Sequence, residues 1–240
     1  MRAETTGLNI RQIATLLRGE AEIISRWTES WDPRRLALHI AVIVVGAGLY
    51  GAAMGWWRAP EQALFVAIKF PLIMLLTALG NALLNGMLAP LLGLNIPFRQ
   101  SFLAVIMSFA ISAAILGAFA PLAAFMVWNA PPMIPGEQMP GTYSFIMLAH
   151  VLVIAFAGIV ANLRLGQLLR QFSGNKPAVA RRVLLAWLAG NLFLGSQLSW
   201  ILRPFIGSPV LPVEFLRETA FKGNFFETVF HAFGSVFNFD

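Results

Sequence analysis

The chain has 240 residues, 58% of them hydrophobic and 12% charged, and a formal net charge of +6 from 17 Lys and Arg against 11 Asp and Glu. An ordinary soluble domain is roughly 45–50% apolar and 25% charged, so lipid has to solvate much of this surface, and the basic excess reads as membrane-flanking charge rather than a nucleic-acid footprint. Cysteine is absent, which excludes a disulfide framework, a thiol nucleophile and a thiolate metal site.

The first 35 residues hold six Arg and five acids. They lack a short apolar core followed by a small-residue cleavage site, so no removable signal peptide is expected and the first span serves as an uncleaved anchor. Within them Ile10, Ile13, Leu17, Ile24 and Trp27 recur at helical spacing, with Arg11, Arg18, Glu22 and Arg26 among the polar positions. That pattern suits an amphipathic helix lying in the membrane plane, or one packed on the protein's own loops.

Five apolar runs follow, from Leu36 to Trp57, Pro71 to Leu92, Ser101 to Trp128, Tyr143 to Leu163 and Val183 to Leu202. Each has at least the roughly 20 residues that cross about 30 Å of hydrocarbon. Backbone groups in lipid must bond internally, and these runs are too long for membrane strands, so the expected class is an all-α polytopic bundle. Asp32 and Pro33 read as the cap and first helical position of span one, and Trp56 and Trp57 suit the opposite interface. An apolar stretch from Ala63 to Phe70 precedes Pro71 as an interfacial lead-in or a kinked first turn. Pro90, Gly93 and Pro97 close span two, and Pro131, Pro132, Pro135, Gly136, Pro140 and Gly141 separate spans three and four. Pro204, Pro209 and Pro212 follow span five. Beyond them Phe226, Phe230, Phe233 and Phe237 form an aromatic stripe, with Lys222, Glu227 and His231 off it, suited to a membrane interface or to a partner or oligomer surface. The chain thus divides into an amphipathic segment (1–35), a five-span bundle (36–203) and a Phe-rich tail (204–240).

Positive charge sets the expected orientation, because Lys and Arg in short loops stay on the cytoplasmic side. The connection from Arg164 to Arg182 carries Arg164, Arg170, Lys176, Arg181 and Arg182 with no acid, whereas Asn129 to Gly141 carries Glu137 and no base. The former belongs inside and the latter outside, so alternation places the N-terminus inside and the C-terminus outside. Twelve basic residues then fall inside, four outside (Arg58, Arg203, Arg217 and Lys222), and Lys69 within or beside a span.

Polar residues inside spans are costly, tend to face the bundle interior and mark candidate sites. Thr77, Asn81 and Asn85 follow one another every fourth residue of span two and share one flank of the helix. Asn191, Gly195, Ser199 and Arg203 repeat that spacing in span five, with Gln197 off the row. The two rows serve either as interhelical hydrogen bonds or as the lining of a polar cavity, with Lys69 and His150 as its ionisable groups. None of the acids falls within a span, which weighs against ion-coupled pumping. Lys69 and Arg203, near the outer ends of their spans, either snorkel to the surface or pair with Glu214 and dock the tail over the bundle mouth. Ala47, Gly51 and Gly55, with Gly48 and Ala52 beside them, let another helix approach closely, within the bundle or from a second copy.

No zinc-protease, phosphate-loop or nucleophile-elbow motif occurs, and no dense acidic cluster. Ser101, Ser108, Ser112 and Ser199 have no base at local spacing. His39, His150 and His231 are too dispersed to argue for a metal, so neither a cofactor nor an enzymatic role is expected.

The block from Gln197 to Pro209 (QLSWILRPFIGSP), followed by Pro212 to Arg217 and Gly223-Asn224, resembles a group of bacterial polytopic inner-membrane proteins to which no activity is assigned. Lys69-Phe70-Pro71 and Leu91 to Leu94 are similar blocks, and the resemblance runs from about Tyr50 to Phe226. In its five spans and inside N-terminus the chain is also similar in architecture to the Yip family of membrane-trafficking proteins. These similarities imply a multi-pass protein of the bacterial inner membrane with a membrane-organising role. The expected function is therefore a non-enzymatic scaffold or assembly factor whose partners are the lipid bilayer, other membrane proteins or a second copy of the chain. The alternative is a small-solute or ion permease between spans two and five.

Overall fold

The computed structural model describes residues 11–134, 140–174, 176–208 and 210–227. Ile10, Pro135, Gly136, Glu137, Pro209, Phe230, His231, Phe233 and Phe237 lie outside them. The described residues form no strand; their principal helices are α1 (Arg11–Arg18), α2 (Ala21–Glu29), α3 (Pro33–Gly55), α4 (Pro60–Leu91), α5 (Phe98–Asn129), α6 (Pro140–Phe172) and α7 (Pro177–Leu202), and residues 225–227 are helical as well. Helices α3 to α7 are long and apolar enough to cross a membrane, so the chain is an all-α bundle of five candidate spans.

Asp32 begins α3 as its side chain accepts from the backbone N–H groups of Arg34 at 3.0 Å and Arg35 at 3.3 Å, satisfying two of the amides that a helix start leaves free. Helix α3 then packs along both α4 and α5, and glycine permits this. Gly51 lies against the Val66 carbonyl and Gly55 against the Gln62 carbonyl of α4, while Gly46 meets the Ala113 carbonyl of α5. A Cβ at any of these would overlap the neighbouring backbone. The small residues Ala47, Gly51 and Gly55 are all buried within the chain's own bundle.

Helix α4 runs unbroken for 32 residues and holds Pro71 inside it. The helix accordingly starts at Pro60, and Ala63 to Phe70 is its first part and not an interfacial lead-in. Pro71 has no N–H for the carbonyl of Ala67, and that oxygen faces Gly48 of α3, where a missing side chain leaves room for it. At the far end Gly93, with φ 89°, and the Leu94 N–H, bonded to the Ala89 carbonyl at 2.8 Å, close the helix.

The expected basic connection from Arg164 to Arg182 is mostly helix. Arg164 and Arg170 belong to α6, Arg181 and Arg182 to α7, and the chain reverses around Gly174. Hydropathy ends a span where charge begins, but Arg, Leu and Gln are good helix formers and carry α6 to 33 residues. At roughly 1.5 Å per residue that is about 50 Å, longer than a bilayer with its headgroups.

The N-terminal segment is two helices rather than one, broken at Gly19, where φ is 71°. The break moves the apolar stripe: Leu16 and Ile24 are buried while Leu17 is 36% exposed. Both helices rest on α5, and α2 also on α6. Arg99 donates to the Glu29 carbonyl, and Gln100 Nε2 to Thr28 Oγ1 at 3.1 Å. These helices, the α4–α5 connection and the α6–α7 turn share one end of the bundle. Alternation puts the α3–α4 and α5–α6 connections at the other, where Trp57 Nε1 donates to the Pro131 carbonyl at 2.9 Å.

Within the bundle α5 also packs on α4 and α6, and α7 on α4 and α6. Burial is uneven. Between 44% and 50% of the most apolar window is buried in α3, α4 and α5, but only 22% in α6 and 17% in α7.

Candidate functional site: the α4–α7 polar seam and its docked tail

Helices α4 and α7 lie antiparallel, and their polar rows meet in register. Asn81 Nδ2 donates to Asn191 Oδ1 and to the Trp187 carbonyl at 3.4 Å, and its Oδ1 lies against Gly190. One turn toward the tail, Thr77 faces Gly195. One turn the other way, the same register sets Asn85 level with Trp187; both are fully buried, and neither the Asn85 amide nor the indole Nε1 has a hydrogen-bond partner. Ser199 continues the α7 row, half-buried. The row thus brings together Thr77, Asn81 and Asn191, leaves Asn85 without a bond, and closes chiefly through one amide pair.

The row extends beyond the sequence expectation. Gln62 and Lys69 lie on the same buried face of α4 as Thr77 and are themselves fully buried. Lys69 Nζ donates to the carbonyls of Pro204 at 3.3 Å and Glu214 at 3.4 Å and sits 5.2 Å from the centre of the Phe215 ring. Gln62 Nε2 donates to the Pro204 and Phe205 carbonyls at 2.9 and 3.1 Å. Phe65 meets Phe215 edge-on at 5.6 Å, and Arg58 reaches the Leu211 carbonyl at 3.4 Å. These contacts fold the segment after α7 over the mouth formed by α4 and α7.

The contacts differ from the expected ion pairs. Among the described residues the ion pairs are Arg18–Glu20 and Arg35–Asp32. Lys69 takes the main-chain oxygen of Glu214 rather than its carboxylate, and Arg203 turns away to stack on Trp200 at 3.5 Å and donate to the Trp200 carbonyl at 2.6 Å. Partial burial and then the positive charge of Arg217 push the Arg203 guanidinium below its ordinary value. Carbonyl dipoles and aromatic faces, rather than carboxylates, therefore hold Lys69 and Arg203 at the mouth. The chain then doubles back along α7: Trp200 Nε1 donates to the Lys222 carbonyl at 3.4 Å, and Phe226 stacks on Phe193 at 5.7 Å.

Away from the seam, the Tyr50 hydroxyl and His150 Nδ1 share a buried hydrogen bond of 2.9 Å linking α3 to α6. His39 is buried on α3 with neither ring nitrogen bonded. Among the described residues no three His, Asp or Glu side chains converge on a point. Ser108 and Ser112 donate to the Ala161 and Ala157 carbonyls, at 3.4 and 3.3 Å, and serve as links between α5 and α6.

Comparison with family models, with curated proteins and with solved structures finds no match. The chemistry of the residues themselves is what bears on function.

Proposed function

We propose that this integral membrane protein is a non-enzymatic organiser of membrane components in the bacterial inner membrane, with its N-terminus inside and its C-terminus outside. One observation carries the reading: the polar row of α4 and α7 spends its central amides on each other, while α6 and α7 bury the smallest share of their apolar windows of the five long helices. A bundle whose polar groups bind its own helices, and whose least buried spans sit side by side, suits assembly in the plane of the bilayer. Charge asymmetry supports the orientation, because Arg170, Lys176, Arg181 and Arg182 gather at the end that also carries the N-terminal helices. The location rests on the resemblance read from the Gln197–Pro209 and Pro212–Arg217 blocks alone.

A photo-crosslinking residue at Leu152 or Leu185, which are 62% and 58% exposed, tests the reading in native membranes. A discrete partner band, or a self-adduct, from these sites but not from Val45 on α3 is the expected result. A reporter that is active only in the cytoplasm, fused after Asp240, tests the orientation and should stay silent.

The permease alternative draws on Thr77 Oγ1 and the Asn85 amide, which are buried without bonds and available to a passing polar solute. Specific flux into liposomes that Asn85→Leu abolishes would establish it and displace the scaffold.

A further inference from the structure

A groove of about 1300 Å³ runs between α6 and α7. It exceeds the roughly 300–1,000 Å³ of an ordinary small-molecule pocket, and its two ends differ chemically. Ile154 and Ile159 on α6 and Leu188 and Leu192 on α7 make one end wholly apolar, while Arg164, Arg170 and Arg181 line the other. No Asp or Glu lines it, and none of the three guanidinium groups has a carboxylate partner among the described residues. Arg164 is engaged elsewhere, its guanidinium lying against Gly19 at the break between α1 and α2 and donating to Gln167 at 3.2 Å, which leaves Arg170 and Arg181 to the groove.

From Ile154 to Arg170 the groove follows α6 for about 24 Å at roughly 1.5 Å per residue. Half of a bilayer of about 40–45 Å, headgroups included, is roughly 20–23 Å. The groove therefore has the depth of one leaflet, with its charge at headgroup level and its apolar walls at acyl level. Gly158 lines it, and a Cβ built there has no neighbour within 4 Å. At the helix contact beside it, by contrast, Gly166 already faces Leu184.

We infer that the α6–α7 groove seats one anionic phospholipid, its phosphate held by Arg170 and Arg181 and its acyl chains lying between the two helices. The arginines set the selectivity. Acyl chains that leave bulk lipid for an apolar groove exchange one hydrocarbon surface for another and gain little, whereas each basic residue at headgroup level favours an anionic lipid about fivefold. Arginine's fork also matches a phosphate with paired N–H groups. The inference needs only that the chain spans a bilayer, and it stands whether or not the scaffold reading does.

Native mass spectrometry of the full chain, with phosphatidylglycerol, phosphatidylethanolamine or phosphatidylcholine titrated in, reads the site directly. One phosphatidylglycerol should bind saturably and in preference to the two zwitterionic lipids. Arg170→Gln with Arg181→Gln should weaken that binding about 30-fold and erase the preference. Gly158→Phe, whose Cβ enters open space in the groove, should weaken binding while all the arginines remain. Soluble glycerophosphate should not compete, which separates a lipid seat from a bare phosphate site. Helicity by circular dichroism and monomer mass confirm that each variant folds. Equal binding of the three lipids, competition by glycerophosphate, or phosphatidylglycerol retained at wild-type affinity by folded Gly158→Phe would each overturn the inference.

Discussion

Replacing Lys69 by Met should loosen the segment that follows α7 and leave the bundle standing. The ammonium is fully buried and holds the Pro204 and Glu214 carbonyls at 3.3 and 3.4 Å. Both distances lie just beyond the usual range for N–H···O bonds, so each is worth about 1 kcal/mol net of water rather than the 1.5–3 of a tight charged bond. Methionine keeps the apolar stem and its contact with Phe215, which leaves a loss of about 2 kcal/mol, or roughly 30-fold in the population of the open segment. Trypsin reads that population when opening is fast relative to cleavage. Arg217, half-buried between the docked stretch and the buried Ala220, is the reporting bond, and the exposed Lys222 is the internal reference. Cleavage after Arg217 should accelerate about 30-fold while the unfolding midpoint of the bundle in detergent holds or rises, since a desolvated charge has been removed. Gln62→Leu should act in the same direction, and the double variant should fall short of the sum because both donors share the Pro204 carbonyl. An unchanged rate at Arg217 in folded Lys69→Met would refute the docking role of Lys69 and leave Gln62, Phe215 and Arg58 to hold the segment.

Two glycines of the spanning helices should respond oppositely to alanine. Gly46→Ala drives a Cβ into the Ala113 carbonyl and should cost about 1–3 kcal/mol in detergent unfolding, whereas Gly158→Ala enters open space and should be neutral or stabilising by up to about 1 kcal/mol; equal losses would contradict the packing described. Asp32→Ala should cost about 1 kcal/mol through the lost helix cap, and Asp32→Asn should restore most of it, both read from the same unfolding transition. Tyr50→Phe leaves the buried His150 Nδ1 without its bond and should cost about 1–3 kcal/mol. A double-mutant cycle with His150→Phe should recover a clear coupling energy, and a coupling near zero would show that the bond contributes nothing.

The existence of the five spans was legible in the sequence because a bilayer imposes a length and forbids unpaired backbone. Their ends were not. Pro71 reads as a boundary only if its missing hydrogen bond goes uncompensated, and the carbonyl it frees lies in a space that Gly48 of another helix leaves open. Arg164, Arg170, Arg181 and Arg182 read as a loop because hydropathy reports solvent, not backbone conformation. Gly19 split the N-terminal helix and exchanged Leu17 for Leu16 as the buried residue, a shift of register that follows once the break is placed.

The seam was half legible, for a related reason. Asn81 and Asn191 announce themselves by four-residue spacing in apolar helices, and Lys69 by its charge. Gln62 belongs to the same face only if α4 is continuous through Pro71, so an error about a helix start hid a residue of the site. The docking of the tail was legible as attraction to Lys69, but its chemistry was not, because any residue offers a carbonyl and nothing in the letters says that Glu214 contributes its backbone instead of its carboxylate. Least legible of all was which apolar faces pack and which meet lipid. A leucine against a neighbouring helix and a leucine against an acyl chain satisfy the same solvent requirement, so the outward turn of α6 and α7 left no trace in composition. The arginines at the end of their groove did leave one, because charge inside or beside a bilayer is costly enough to require a reason, and a leaflet-deep apolar channel ending in Arg170 and Arg181, neither with a carboxylate partner among the described residues, supplies it.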